Sequence, residues 1–210
     1  MVHPWEKIDL NTYEKHMSTA AVYQLQTLNK ITEEQLTDYN STTVSILGIA
    51  GGNGLDKINN TVTKKIYCID VNGKYLEAVK IRYSCLSDVL EFICCDLTNN
   101  DVILPVSDLY ICNLIIEYLG IETFAKLLKR SWNNMNRVSC VIQKNNTIDF
   151  VSPTNDAAAF NPILSIHHDI HENNLIRALE VIGLTCINRK NYSLPNNKEF
   201  IRMDFKKVEK

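Results

Sequence analysis

The sequence predicts an α/β fold: a mostly parallel sheet covered by helices on both faces, with its last strand reversed. Three observations predict it. The aliphatic run Val44-Ser45-Ile46-Leu47 leads into Gly48-Ile49-Ala50-Gly51-Gly52-Asn53-Gly54, which holds four of the seven glycines in the chain. Short apolar runs then alternate with helical periodicity, the pattern of parallel strands buried on both faces. Finally, two strand-like runs flank Leu194-Pro195-Asn196-Asn197, a turn signal short enough for a hairpin.

Each element has its own signal. Residues 4–39 read as helical and amphipathic: Val22, Leu25, Leu28 and Ile31 share a face, with Ser18 or Thr19 placed to cap its start. Upstream, Tyr13, His16 and Met17 stand at i, i+3 and i+4 and share a face. That face either packs on the domain or closes over a ligand cleft as a lid. Strand one is 43–47, and the glycine turn opens a helix around 54–59. Strand two is 65–70, followed by a helix over 74–84. Strand three is 91–95, strand four 108–113, and strand five 137–143, with a helix carrying Phe124, Leu127 and Leu128 before the fifth.

The stretch 144–168, with Pro153 and Pro162, breaks this rhythm as a long connection of the kind that is usually functional or mobile. Asp169 and Glu172 resemble a cap for a helix whose stripe is Leu175, Ile176, Leu179 and Ile182, with Gly183 as its stop. The runs 184–192 and 198–205 make the closing hairpin. No internal repeat or domain boundary is evident. The 210 residues suit one domain, 1–210, with 1–40 as a helical cap on a core of 41–210.

Composition excludes several classes of function. With 45% apolar and 22% charged residues and a formal charge of −2, the chain has no electrostatic footprint for nucleic acid or an anionic membrane. No run approaches the ~18 apolar residues of a membrane span, and the start does not read as a signal peptide. The expectation is a cytoplasmic protein. Its seven cysteines are scattered without a C-x-x-C pair and read as structural thiols in a reducing compartment. His167, His168 and His171 flank a helix start without acidic partners in ligand spacing, so no metal site is expected.

The chemistry gathers at successive strand ends. Glycines after a buried strand let a ligand approach main-chain N–H groups that no Cβ shields. Asp70 ends strand two, where a carboxylate can accept both hydroxyls of a ribose or can cap the next helix. Asp96 ends strand three, where it can take the exocyclic amine of adenine, with Leu97 offering its N–H, or can close an Asx-turn. This edge of an open α/β sheet is where ligands bind.

Here the chain resembles the class I S-adenosylmethionine-dependent methyltransferases. Leu47–Gly54 is similar to the first motif of that family, Ile69-Asp70-Val71 to its second, Cys95-Asp96-Leu97 to its third and Leu109–Leu114 to its fourth. Leu47-Gly48 stands where the family usually has acid-x-Gly. Ile115–Gly120 and Tyr192–Phe205 further resemble a small bacterial subgroup of methyltransferases. The resemblance implies a Rossmann-like three-layer sandwich, a seven-stranded mostly parallel sheet with antiparallel last strand and an N-terminal helical lid.

It also implies roles by position. Gly48, Ala50, Gly51, Gly52 and Gly54 would embrace the methionine and ribose of S-adenosylmethionine, with S-adenosylhomocysteine as product. Asp70 and Val71 would hold the ribose and adenine, Asp96 and Leu97 would read adenine, and Asn113 with Leu114 would line the methionine end. In the lid reading Tyr13 and Met17 contact the cofactor. Glu117 and Tyr118, just past strand four, are the best-placed acid/base candidates, with His16 from the lid behind them. Glu117 can equally be a solvated loop carboxylate. The acceptor is expected to be a small molecule. The competing readings are an NAD-dependent oxidoreductase, which the glycines and Asp70 also suit, and a catalytically inactive S-adenosylmethionine-binding regulatory protein.

Overall fold

Seven strands make one sheet: β1 Thr43–Leu47, β2 Lys65–Asp70, β3 Leu90–Cys94, β4 Ser107–Asn113, β5 Met135–Lys144, β6 Leu184–Ser193 and β7 Glu199–Lys207. The computed structural model describes residues 2–145, 150–195 and 197–208. The strand order is β3-β2-β1-β4-β5-β7-β6. β1 pairs in parallel with both β2 and β4, whereas β7 lies antiparallel between β5 and β6. The chain winds outward from β1 to β3, then returns to start β4 on the other side of β1. That reversal leaves a crevice at the carboxyl ends of β1 and β4, where no crossover covers the sheet.

Alternation along the strands divides the core into two apolar layers. Leu47, Ile69, Tyr110 and Cys112 point to the face covered by helices α5 (Ile121–Arg130) and α7 (Glu172–Val181), through Phe124, Leu127, Leu175 and Leu179. Val44, Ile46, Ile66, Cys68 and Ile111 point to the opposite face, covered by α3 (Gly73–Arg82) through Leu76 and Val79. Helix α2 (Gln24–Tyr39) completes that side. The result is the three-layer sandwich with a reversed last strand.

Several elements differ locally from the sequence expectation. The helical stretch at the N-terminus is not continuous: a 3-10 turn (Pro4–Lys7), α1 (Leu10–Ser18) and α2 follow one another. Thr19 does not cap a helix start. It closes α1, its hydroxyl donating to the His16 carbonyl at 3.0 Å, and α2 begins after Tyr23 at φ 54°. The glycine turn leads only to a 3-10 turn, Leu55–Lys57, because Gly54 leaves the turn at φ 96°, outside the helical region. Asp169 and Glu172 make no cap: α7 has His171 at its N-cap, and Glu172 bonds Arg189 instead.

The connection after β5 holds a 3-10 turn (Ala157–Phe160) and helix α6 (Asn161–Leu164). Its residues 146–149 lie outside the described residues, as does Asn196 of the hairpin turn. Across that turn the Leu194 N–H donates to the Lys198 carbonyl at 2.9 Å. The short helix α4 (Ile116–Leu119) follows β4 directly. Among the described residues no helix is long and apolar enough to cross a membrane.

One polar seam runs between α2 and the sheet. Gln35 Nε2 donates to Asn113 Oδ1 at 2.9 Å and to Ser139 Oγ at 2.7 Å. Ser139 donates in turn to Asp204, which receives Arg202 at 2.8 Å. Arg202 is 1% exposed and also bonds Asp38 at 2.8 Å. A buried guanidinium is tolerated only with such pairing.

Candidate active site

The crevice is a real cavity, bordered by the ends of β1, β2 and β4 and by the glycine turn. Gly48, Ala50 and Gly51 border it; Gly52 and Gly54 do not. At Gly54, besides its positive φ, a Cβ would meet Thr32 Cγ2 of α2 at 2.5 Å. Gly54 thus lets the turn lie against α2. At Gly51 a Cβ would run into the Glu14 carboxylate, which is gripped by both Arg82 nitrogens while Arg82 Nη1 holds the Gly51 carbonyl at 2.6 Å.

Asp70 braces the turn from β2. Its Oδ2 accepts from the Ala50 N–H at 2.9 Å and its Oδ1 from the Asn72 N–H at 2.9 Å. Burial pushes its carboxyl up, and these two backbone donors pull it back towards the charged form. The Ala50 bond holds that residue at φ 46°, a conformation L-residues adopt reluctantly. Each carboxylate oxygen keeps a further acceptor site. Val71, Leu97 and Asp96 also border the cavity. Asp96 forms the Asx-turn: its Oδ1 accepts the Thr98 N–H at 2.9 Å and the Thr98 hydroxyl at 2.6 Å.

Asn113 ends β4 at the cavity, but its amide is committed to α2, with Gln35 bonded to both its ends at 2.9 and 3.0 Å. Leu114 borders the cavity in a left-handed conformation, φ 55°, its N–H on the Val141 carbonyl. Such positions store backbone strain near ligand sites.

The N-terminal segment and the connection after β5 roof the cavity together. Tyr13, His16 and Met17 border it from α1. Trp5 packs edge-on against Tyr13 and Tyr118, with centroids 5.9 and 4.8 Å apart, and Tyr118 against Phe150 at 6.1 Å. His16 is tilted against Phe160, and its Nδ1 bonds the Thr154 hydroxyl at 2.7 Å. Burial lowers the His16 pKa, which favours the neutral ring, while burial and the charges of Asp70 and Glu14 push the Tyr13 phenol up. The segment is tied to the sheet edge where Asn72 Nδ2 donates to the Trp5 carbonyl and Tyr75 to that of Ile8.

Glu117 differs from every other acid here. It sits on α4 at the cavity wall, 2% exposed, so the solvated-loop alternative fails. Its Oε1 accepts from the Gln143 N–H at 2.7 Å, but its Oε2 has no partner. Burial pushes its carboxyl up to about 7. Tyr118 beside it is half-buried, and its phenol is held well above the usual range, first by burial and then by the Glu117 charge.

Sequence reasoning missed the clamp of Glu14 and Arg82 and the pair in which Gln24 donates to Gln143 at 2.6 Å across the cavity wall. Gln143 had a usable signal, its place at the end of a strand. Gln24 and Glu14 had none, because their roles arise from contacts distant in sequence. The histidines are dispersed in use: His167 stacks on Phe150 at 3.6 Å, and the His168 N–H donates to the Glu117 carbonyl. Among the described residues no group of three His, Cys, Asp or Glu is placed to hold a metal ion.

No family model matches the chain, and no curated protein matches it. Solved structures do. The magnesium protoporphyrin IX methyltransferase of Synechocystis PCC 6803, with bound S-adenosylmethionine, superposes with a TM-score of 0.68 at 10% identity, covering 94% of this chain and 90% of its own. The N-methyltransferase NodS of Bradyrhizobium japonicum WM9, in complex with S-adenosylhomocysteine, gives 0.65 at 13% identity, covering 95% and 100%. The cyclase SpnF gives 0.64 at 8% identity, covering 88% and 82%. The chain therefore has the Rossmann-like fold of the S-adenosylmethionine-dependent methyltransferases.

Proposed function

We propose that this protein is an S-adenosylmethionine-dependent methyltransferase acting on a small-molecule acceptor. The observation that carries the reading is one cavity that joins the glycine turn, Asp70, Asp96, Leu97 and Leu114 at the switch point of this fold. The residues fit an adenosine with an amino-acid tail. Gly48 and Gly51 bring main chain without a Cβ to the cavity edge, where Ile115 and the Glu14 carboxylate lie against them, and Asp70 keeps acceptor capacity for ribose hydroxyls. Val71 and Leu97 supply apolar walls for adenine. Asn113, bonded by Gln35, would act by shaping the methionine end through its backbone and Leu114. Gly52 and Gly54 would serve by setting the turn.

When bound, S-adenosylmethionine supplies a methyl group activated by a sulfonium. The chain has to align an acceptor behind it and exclude water, which supplies most of the acceleration in such displacements. We assign the exclusion of water to the roof, with residues 1–40 acting as a cap and Tyr13 and Met17 facing the cofactor. Glu117, Tyr118 and His16 border the side of the cavity towards β5. A proton acceptor belongs there, and Glu117 is the group poised for it near neutral pH. The seven free cysteines support a reducing, cytoplasmic setting.

A melting experiment separates this reading from the oxidoreductase. S-adenosylhomocysteine at 100 times its Kd stabilises by about 2.7 kcal/mol, a rise of roughly 5–10 °C for a chain of this length. NAD is expected to leave the melt unchanged. A shift with NAD alone would overturn the proposal. Transfer of labelled methyl to product then separates an enzyme from an inactive binder.

A further inference from the structure

The strand order divides the cavity into two ends. β1 and β2 carry the glycine turn and Asp70, whereas β4 and β5 lead to Glu117 and Gln143 on the other side. Three properties of that second end restrict what it holds. The first is the unpartnered Oε2 of Glu117. Among the described residues only one other buried side-chain polar atom lacks a partner, Arg137 Nε, and it does not border the cavity. A buried carboxylate oxygen without a donor is costly, so a ligand that brings an N–H or O–H there is rewarded.

The second property is the aromatic wall. Trp5, Tyr13, Tyr118, Phe150 and Phe160 form a connected run of edge-on and tilted rings across the roof, with Tyr118 and Phe150 at this end. Ring faces attract a cation or take the flat body of a ligand. The third is charge. Of the acids bordering the cavity, Glu14, Asp70 and Asp96 lie at the glycine-turn end and Glu117 at the second, and no lysine or arginine is among the described residues that border it. Arg82 is spent on Glu14 and Gly51, and Lys198 donates to the Phe150 carbonyl from outside the lining, its charge reaching His16 and His167. The titratable neighbours of Glu117, Tyr118 and Cys140, are both held neutral by burial.

We propose that this end of the cavity binds a small amine with a flat, apolar body, and that Glu117 accepts the proton from its nitrogen. A ring-lined pocket whose charged group is the Glu117 carboxylate favours an ammonium over a hydroxyl, which gains no charge attraction, and over a carboxylate, which is repelled. Inside, the ammonium passes one proton to the Glu117 carboxylate. The freed lone pair forms the new N–C bond with the sulfonium methyl while the C–S bond breaks and its electron pair returns to sulfur. The N-methylammonium product carries the charge the sulfonium loses. The methylation step rests on the proposed function above; the binding of the amine does not.

The test uses the full chain, with and without saturating S-adenosylhomocysteine, and compares benzylamine and phenethylamine with benzyl alcohol, 2-phenylethanol and benzoate. Melting and calorimetry are read at pH 8. The amines are expected to raise the melting temperature and to bind at least tenfold more tightly than the alcohols, with benzoate inert. Glu117→Gln keeps the Gln143 bond through its carbonyl and is expected to lose at least tenfold in amine affinity while its S-adenosylhomocysteine shift stays. Equal binding of alcohol and amine, no amine binding, or full amine affinity in Glu117→Gln overturns the proposal. If that variant does not fold, the comparison of amine with alcohol on the unaltered chain still decides. A missing S-adenosylhomocysteine shift with the amine preference intact removes the cofactor reading and leaves the amine site standing.

Discussion

Asp70 and Glu117 are both buried carboxyls on the wall of one cavity, yet their surroundings set them different tasks. Asp70 receives two backbone N–H donors, which favour the charged acceptor. Glu117 receives one and leaves an oxygen bare, which favours the neutral acid. Asp70→Ala is expected to weaken S-adenosylhomocysteine binding roughly 10- to 100-fold, the worth of charge-assisted bonds of ~1.5–3 kcal/mol. Calorimetry checks it, and an unchanged affinity removes Asp70 from the site.

Glu117 makes a pH prediction whose sign can be worked out. Its folded pKa of about 7 lies above the ordinary 4.5, so the folded state holds the proton more tightly. Stability from this group is full below pH 4.5 and is lost as pH rises through 7, by ~3 kcal/mol at most. His16 and His167, lowered by burial, act in the opposite direction over an overlapping range. The difference between the protein and Glu117→Gln isolates the carboxyl. In urea titrations the variant should gain on the parent between pH 5 and pH 8. Parallel pH profiles would show that Glu117 keeps an ordinary pKa.

At the scale of elements, glycines of the turn and of the helices serve two different needs. Gly54 has φ 96° with Thr32 against it, whereas Gly73 opens α3 with only ordinary contact, Cys94 Sγ at 3.6 Å from a would-be Cβ. Gly54→Ala should cost about 2–4 kcal/mol through backbone strain and overlap with α2. Gly73→Ala should be neutral or stabilise by up to about 1 kcal/mol, because alanine is the better helix former. Chemical denaturation of the two variants checks the contrast. The N-terminal segment shows what local pattern can miss. Periodicity carried a helix through residues 4–39, but burying Val22 beneath the break while α1 reaches the cavity requires the left-handed Tyr23, a non-local demand.

Over the whole molecule, the polar seam ties the site to the antiparallel end of the sheet. Asn113 at the cavity, Gln35 on α2, Ser139 on β5 and the pair of Asp204 and Arg202 on β7 are consecutive links. Arg202→Met keeps much of the volume but strands the Asp204 charge, and should cost about 3–5 kcal/mol. Adding Asp204→Asn should recover part of that loss. Urea midpoints of the single and double variants measure it, and equal losses would mean that the charges do not act as a pair.

The sequence by itself determined the α/β class, the strand ends, the reversed hairpin and the glycine turn, because these follow from short-range pattern: strand alternation, helical period and turn chemistry. It also marked Asp70, Asp96 and Glu117 as residues to watch, since a strand end in such a sheet faces the ligand edge. Whether an acid there caps, braces or waits for a proton depends on its neighbours, and the neighbours come from elsewhere in the chain. Only the tertiary structure decided that Asn113 spends its amide on Gln35. It also decided that Gly54 serves α2 and that Glu117 is left with a bare oxygen among aromatic rings. Burial and pairing with partners far along the chain set these outcomes, and the sequence pattern around each residue carries no record of what is packed against it.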